Sequence, residues 1–242
     1  MITSLRFVTG VLGLLVLPCF LRAADVVYEL FRADLPSGAA YSIDARQLHP
    51  TQFSLGLREV AAKTAVINAK DAKALAEYLK KKDVPLVIGP GGVAYLTDGH
   101  HTLRALIDSK QADKTAYGHV LANWSEVKAD EFWRRMEANH YTYLKDNTGN
   151  PAKAEALPET LLTMQSDAWR GLAWAMMVAG GFEEKKGWFF QEFAWADYMR
   201  SKVSWNDGDD AEFARAVAVA VKLAHEPEAS SLPGWKAAEP AR

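Results

Sequence analysis

The stretch YLTDGHHTLRAL, Tyr95–Leu106, decides the fold. Tyr95, Leu96 and Thr97 read as the end of a short strand, and Asp98-Gly99 is a turn signal. From His100 the pattern turns helical, with Leu103, Leu106 and Ile107 on the inward side. A strand that runs through a glycine turn into a helix leaves the first helical amides unpaired and partly positive. Gly99 has no Cβ, so an anion can approach that backbone closely. The junction is expected to seat a phosphate.

Two histidines stand on this turn. Imidazole suits acid–base work near neutral pH, and in its neutral form it ligates metals. Adjacent helical residues point about 100° apart, so His100 and His101 are expected to have different jobs. One would face a ligand while the other orients it or touches Gln52. The structural alternative for each is a cap or packing residue bonded to backbone. Asp98 is placed either to cap the helix or to hold a metal. Asp98 and His100 are the expected metal pair, for Mg, Mn or Zn. Arg104, in the same helix, is expected either to clamp an anion with its fork or to form a salt bridge.

Outward from this turn, VPLVIG and VAYLT are short strands separated by the turn Pro90–Gly92. AKDAKALAEYLKKKD is a helix, with Ala72, Leu75, Tyr78 and Leu79 on one face and a solvated lysine run at its end. Upstream, Pro36, Gly38, Pro50 and Gly56 punctuate short mixed strands, and AYGHVLANW is one more strand. After Trp124 the texture becomes helical. SEVKADEFWRRMEANH has Val127, Phe132, Trp133 and Met136 on its apolar side. PETLLTMQSDAWRGLAWAMMVAGG reads as one helix ending at Gly180-Gly181, and GWFFQEFAWADYMRSKV as another. The organisation expected is α+β over 24–122, a helical domain over 123–225 and a flexible, proline-containing tail over 226–242.

The first 23 residues read as an export signal. Arg6 precedes an apolar run from Phe7 to Phe20, with a small-residue cleavage site near Ala23. Cys19, the only cysteine, lies inside this run, so a mature chain would have no thiol chemistry. The run is short for a membrane span, and no stable span is expected after cleavage. The chain is 242 residues long, 49% hydrophobic, with a net charge of −2. Without a basic surplus, long DNA is a poor expected partner. A phosphate-containing small molecule or a short nucleic acid is the expected ligand.

Three stretches together resemble a known family: LHPTQFSLGLREVAAK (Leu48–Lys63), PLVIGPGGVAYLTDGHHTLRAL (Pro85–Leu106) and the span from Leu157 to Arg200. They resemble the ParB-like nuclease family, a branch of the ParB/sulfiredoxin-like superfamily. The resemblance implies a ParB/sulfiredoxin-like α+β domain followed by a helical domain, with phosphate bound at the strand-turn-helix element. It places Gly99, Thr102 and Arg104 at the phosphate, and Gln52 and His49 of the HPTQ stretch beside it. In ParB proteins the turn reads Gly-Glu-Arg-Arg-Trp-Arg-Ala, and here it is Gly99-His100-His101-Thr102-Leu103-Arg104-Ala105. The exchanged arginines argue against ParB-style CTP binding. Free-serine kinases of a related branch share the Asp-Gly-His-His turn but use a glutamate near Gln52, and glutamine cannot take a proton. Sulfiredoxin chemistry needs a cysteine at the turn.

A second candidate site lies in QEFAWADYMR, with Glu192, Asp197 and Arg200 among aromatic residues. Buried charge there must be paired, with Arg170 and Arg200 available. The group is read either as a salt-bridged joint between domains or as a carboxylate source completing a metal site with Asp98. Arg58 and Glu59 either line the same cleft or pair on a surface. The expected function is metal-dependent phosphoester hydrolysis of the nuclease type, with catalysis by His100, His101 and Asp98. The alternatives are a non-catalytic binder of a phosphorylated or acidic small molecule, a small-molecule kinase, and a structural protein carrying an inherited site.

Overall fold

A computed structural model describes residues 26–185 and 187–238. The expected export signal, Cys19 included, lies outside the described residues. Among those described, no helix is long and apolar enough to cross a membrane.

Among the described residues, eight strands form in chain order: β1 (Glu29–Leu30), β2 (Ala40–Asp44), β3 (His49–Pro50), β4 (Ser54–Leu55), β5 (Leu86–Ile88), β6 (Ala94–Leu96), β7 (Thr115–Asn123) and β8 (Gln165–Ser166). Six of them build one mixed sheet in the order β1-β2-β7-β5-β6-β3, and β4 pairs with β8 separately. On β2 the residues alternate, with Tyr41 and Ile43 buried between half-buried neighbours. Central β5 is buried throughout, as a strand covered on both faces must be.

Seven α-helices accompany them among the described residues: α1 (Leu57–Asn68), α2 (Ala72–Lys82), α3 (His100–Asp108), α4 (Ala129–Ala138), α5 (Ala168–Val178), α6 (Gln191–Arg200) and α7 (Asp210–Ala224). Asp71 caps α2 by accepting from the Ala74 N–H at 2.8 Å, and Lys80–Lys82 face the negative end of its dipole. Leu103 and Leu106 of α3 join Leu86, Ile88 and Leu96 in the core beneath the sheet. The expected α+β organisation is therefore present. The helices α1 and α7 were not anticipated. Both are alanine-rich with diffuse apolar faces, so their periodicity is weak.

Two other expectations are corrected. The stretch 158–181 is not one helix. Leu161–Thr163 is a 3₁₀ turn, and the backbone of β8 pairs in parallel with β4, which forbids helical bonding there. The helix α5 starts only after Asp167, whose carboxylate accepts from the Arg170 N–H. Nor is the segment after 226 loose over its described length. Leu232 and Trp235 pack on the core of α5, α6 and α7, the Trp195 indole donates to the Pro233 carbonyl at 2.8 Å, and the Glu183 N–H donates to Gly234 at 2.9 Å. Apolar anchors outweigh the polar composition of that segment.

The sheet part and the helical part meet closely. Leu161 and Met164 are buried in the sheet's own core. At the start of α1, a Cβ on Gly56 would stand 2.7 Å from the Gly171 Cα of α5. Gly56→Ala must therefore push α1 and α5 apart. A loss of about 1–3 kcal/mol is expected, read from the denaturation midpoint in urea. An unchanged midpoint would refute the close approach.

Candidate functional site

The turn between β6 and α3 is fixed from several sides. The Thr97 N–H and hydroxyl both donate to the Pro85 carbonyl, at 3.0 and 3.2 Å, and the Thr51 hydroxyl donates to Leu96 at 2.7 Å. Gly99 takes φ of +88° as the residue preceding α3, and a Cβ there would lie 2.5 Å from a Val84 methyl. Only glycine meets both conditions without strain. No side chain caps the α3 start. Asp98 accepts from the Gly99 N–H at 2.6 Å and does not cap the helix.

This helix start opens on a cleft of about 490 Å³ between the sheet part and the helical part. From the sheet part come Gln52, Glu59, Lys63, Lys81, Lys82 and the turn 98–102. From the helical part come Arg170, Glu192 and a set of aromatic rings. The cleft thus combines five cationic side chains, counting Lys185, with the carboxylates of Glu59, Asp98, Glu184 and Glu192.

The histidines are held differently from the expected catalytic arrangement. Both imidazoles are buried. His100 Nε2 accepts from the Thr51 N–H at 3.1 Å, and His101 Nε2 accepts from the Gly56 N–H at 3.0 Å. An accepting Nε2 places the ring proton on Nδ1, so each ring is neutral. Burial lowers the His100 pKa to about 3, with Arg170 adding to the effect, and burial likewise takes His101 well below its ordinary value. The two rings pin residues 51–56 to α3. His100 Nε2 has no lone pair left for a metal, which corrects the Asp98–His100 pair. Among the described residues, no three His, Cys, Asp or Glu side chains converge as a metal-ligand set.

Arg170 of α5 takes the central place. It is 4% exposed, donates from Nη1 to Glu59 at 2.9 Å, and pairs through Nη2 with Glu192 at 3.1 Å. Its Nε has no partner among the described residues. Burial alone would raise the Glu59 carboxyl. The positive charges of Arg170 and Lys63, the latter at 2.6 Å, oppose it and hold the group below its ordinary value. The approach of His101 Nε2 to Glu59 at 3.6 Å is not an ion pair, because that nitrogen is already an acceptor. The surrounding protein raises the Asp98 pKa, the Gly99 N–H opposes this, and the nearby Glu192 charge adds to it. The carboxylate still meets solvent at the cleft mouth, so its rise is smaller than sealed burial would give.

The other expected residues divide. Thr102 and Gln52 line the cleft, with the Gln52 amide nitrogen bonded to the Ser54 carbonyl at 2.6 Å. Arg104 is not an anion clamp. Its fork serves Asp108 at 2.9 Å and the Leu161 carbonyl at 2.9 Å, tying α3 to the 161–163 turn. His49 pairs with Tyr95 across β3 and β6 and does not line the cleft. The second candidate group also separates. Glu192 reaches the cleft, whereas Asp197 and Arg200 form a joint with Tyr143, Lys145 and Asp167. Arg58 pairs with Asp207 and Asp210. Lys63 went unrecognised, although its i, i+4 spacing from Glu59 would have signalled the pair had α1 been read as a helix.

With this geometry in view, comparison with known proteins is direct. The sequence profile of the family described as "Putative ParB-like nuclease" matches residues 41–201. The chain belongs to this family. The match runs through both parts of the structure, from β2 to the end of α6, and includes Glu59, the Asp98–Thr102 turn, Arg170 and Glu192. This ParB-like chain also resembles protein Atu1540 from Agrobacterium tumefaciens, known from a crystal structure. The identity is 32% and the TM-score 0.74, over 85% of this chain and 100% of that one. Among curated proteins, none matches.

The neutral histidines predict acid sensitivity. Their folded pKa values are depressed, so the stability they contribute is complete above the unfolded value of 6.5. Below it the unfolded chain takes up protons that the folded chain refuses. Stability should fall by about 1.4 kcal/mol per pH unit per histidine, for His100 down to about pH 3. Urea denaturation at pH 7 and pH 5 checks this. His100→Gln should flatten the dependence, and an equal slope in that variant would count against the assignment.

Proposed function

We propose that this ParB-like chain binds a phosphate-bearing small molecule or the end of a short nucleic acid at the start of α3, and hydrolyses a phosphoester there. One observation carries the reading: the uncapped α3 start lines the same cleft as Arg170, whose buried Nε has no partner among the described residues, and as a solvent-touched carboxylate, Asp98. Helix-start amides are donors a phosphate prefers, and the positive charge of Arg170 in the same cleft adds to the field that favours an anion there. A cleft of about 490 Å³ is of the size that takes a small ester.

In this reading Asp98 takes the proton of a water that attacks phosphorus. The phosphorus–oxygen bond to the leaving group breaks, and that oxygen is protonated by solvent. A divalent ion, Mg, Mn or Zn, belongs to the proposal. Asp98 would hold it together with the ligand's own phosphate oxygens, as Mg²⁺ commonly is held, and it would neutralise developing charge. Gly99 and Thr102 orient the phosphate, while His100 and His101 act only by holding the turn. The engagement of both imidazoles by backbone N–H groups supports the second reading, a binder without turnover.

Cleavage of single-stranded DNA, RNA and a generic phosphodiester, with each metal and with chelator, tests the chemistry. Metal-dependent turnover reduced about 10²- to 10⁴-fold in Asp98→Asn is the expected result. Turnover equal in that variant would remove Asp98 from the mechanism. Binding of phosphate with no turnover under any condition would leave the binder. Export is also part of the proposal, and N-terminal sequencing of the mature protein should begin near Ala24. An intact Met1 in the mature protein would refute it.

A further inference from the structure

The cleft contains more than a phosphate site requires. Its helical part supplies Trp174, Trp188, Phe189 and Phe190, all lining the same space as the α3 start. Phe189 and Phe190 are held by other rings of the protein, against Tyr141 at 5.8 Å and Tyr143 at 5.9 Å. Trp188 is not. It is 52% exposed, and among the described residues the contact recorded on its ring is the Lys185 ammonium, 4.8 Å from the centroid. Among the described residues, it is the aromatic one of the large apolar side chains left substantially in solvent. Half an indole in water forfeits apolar burial that the adjoining core could have supplied. A ring presented to a ligand regains that burial when the ligand arrives.

Resting on the phosphate-site reading above, we infer that the ligand carries a flat aromatic or heteroaromatic ring that stacks on Trp188 while its phosphate sits at the α3 start. The volume agrees, because about 490 Å³ far exceeds what a phosphate group fills and lies in the range of small-molecule pockets. The lining agrees too. Lys63 and Arg170 flank Glu59 beside the α3 start, and Trp188, Phe189 and Phe190 come from the segment leading into α6. The Lys185 ammonium over the indole marks its electron-rich face as one that a cationic or electron-poor ring would also satisfy. The ligand class is thus a phosphate ester that also carries an aromatic or heteroaromatic ring, free or at the end of a short single strand.

Calorimetric titration of the purified chain with four probes tests this: inorganic phosphate, ribose 5-phosphate, phenyl phosphate and adenosine 5′-monophosphate. The two ring-bearing probes should bind roughly five- to a hundredfold more tightly than ribose 5-phosphate, the range that stacking one ring supplies. Trp188→Ala should bring them down to the level of ribose 5-phosphate, and Trp188→Phe should restore most of the preference. Stronger binding of the nucleotide than of phenyl phosphate would support a heteroaromatic base, and a 5′-phosphorylated dinucleotide binding as tightly would support a strand end as its source. Equal affinity with and without a ring, or a preference that survives in Trp188→Ala, would overturn the inference while leaving the phosphate site standing. Failure of every probe, inorganic phosphate included, would instead overturn the phosphate site itself.

Discussion

A guanidinium sealed between two carboxylates holds this molecule together at its centre. Arg170 cannot shed its proton, and it is almost fully buried. Charge in such a place is tolerable only with partners on every side. Glu59 comes from α1 of the sheet part, Glu192 from α6 of the helical part, and Arg170 itself from α5. The three positions are far apart in sequence, so the ion cluster forms only when both parts have docked. Glycine contact at Gly56 and Gly171 lets α1 and α5 approach closely enough for it. The Arg170 ring contact, 5.4 Å over Phe193, fills the remaining side with polarisable surface. What is left open, the Nε edge, belongs to a residue lining the cleft.

The histidine pair shows how a motif can mislead about roles while being right about place. Two imidazoles at a glycine turn suggest acid–base chemistry, and the turn does border the cleft. Yet the chain between β3 and α1 crosses behind α3 with backbone N–H groups at Thr51 and Gly56 that need acceptors. Neutral imidazole is a compact acceptor that reaches from a helix start into a buried position. Both histidines are used in this way, one for each N–H. Their chemistry is then suppressed by burial. The carboxylate next to them, Asp98, stays open to solvent at the cleft.

The cleft inherits its character from the same docking. Cationic side chains, the helix dipole and aromatic rings line one cleft. Four carboxylates temper the positive field, which suits a small anion held by directed hydrogen bonds better than a long polyanion held by charge. The overall charge of −2 points the same way.

By itself the sequence determined the local elements whose signals are local. The strand, glycine turn and helix at 95–106, the capped helix at 72–82 and the α+β character all follow from period, turn residues and caps within a few positions. Membership of the ParB-like family was legible because each of the three stretches that carry it is contiguous, the strand-turn-helix junction at 85–106 being the most specific. The break of 158–181 into a turn, a strand and a helix was not legible, because β8 exists only through its pairing with β4 more than a hundred residues earlier. The roles of His49, Arg104 and Arg200 also waited on the tertiary structure. A side chain's reach is set by what stands across from it, and each of these found a nearer partner than the cleft. Glu59, Lys63, Arg170 and Glu192 converge because buried charge must be neutralised where two parts of the chain meet, and no spacing along the sequence records that meeting.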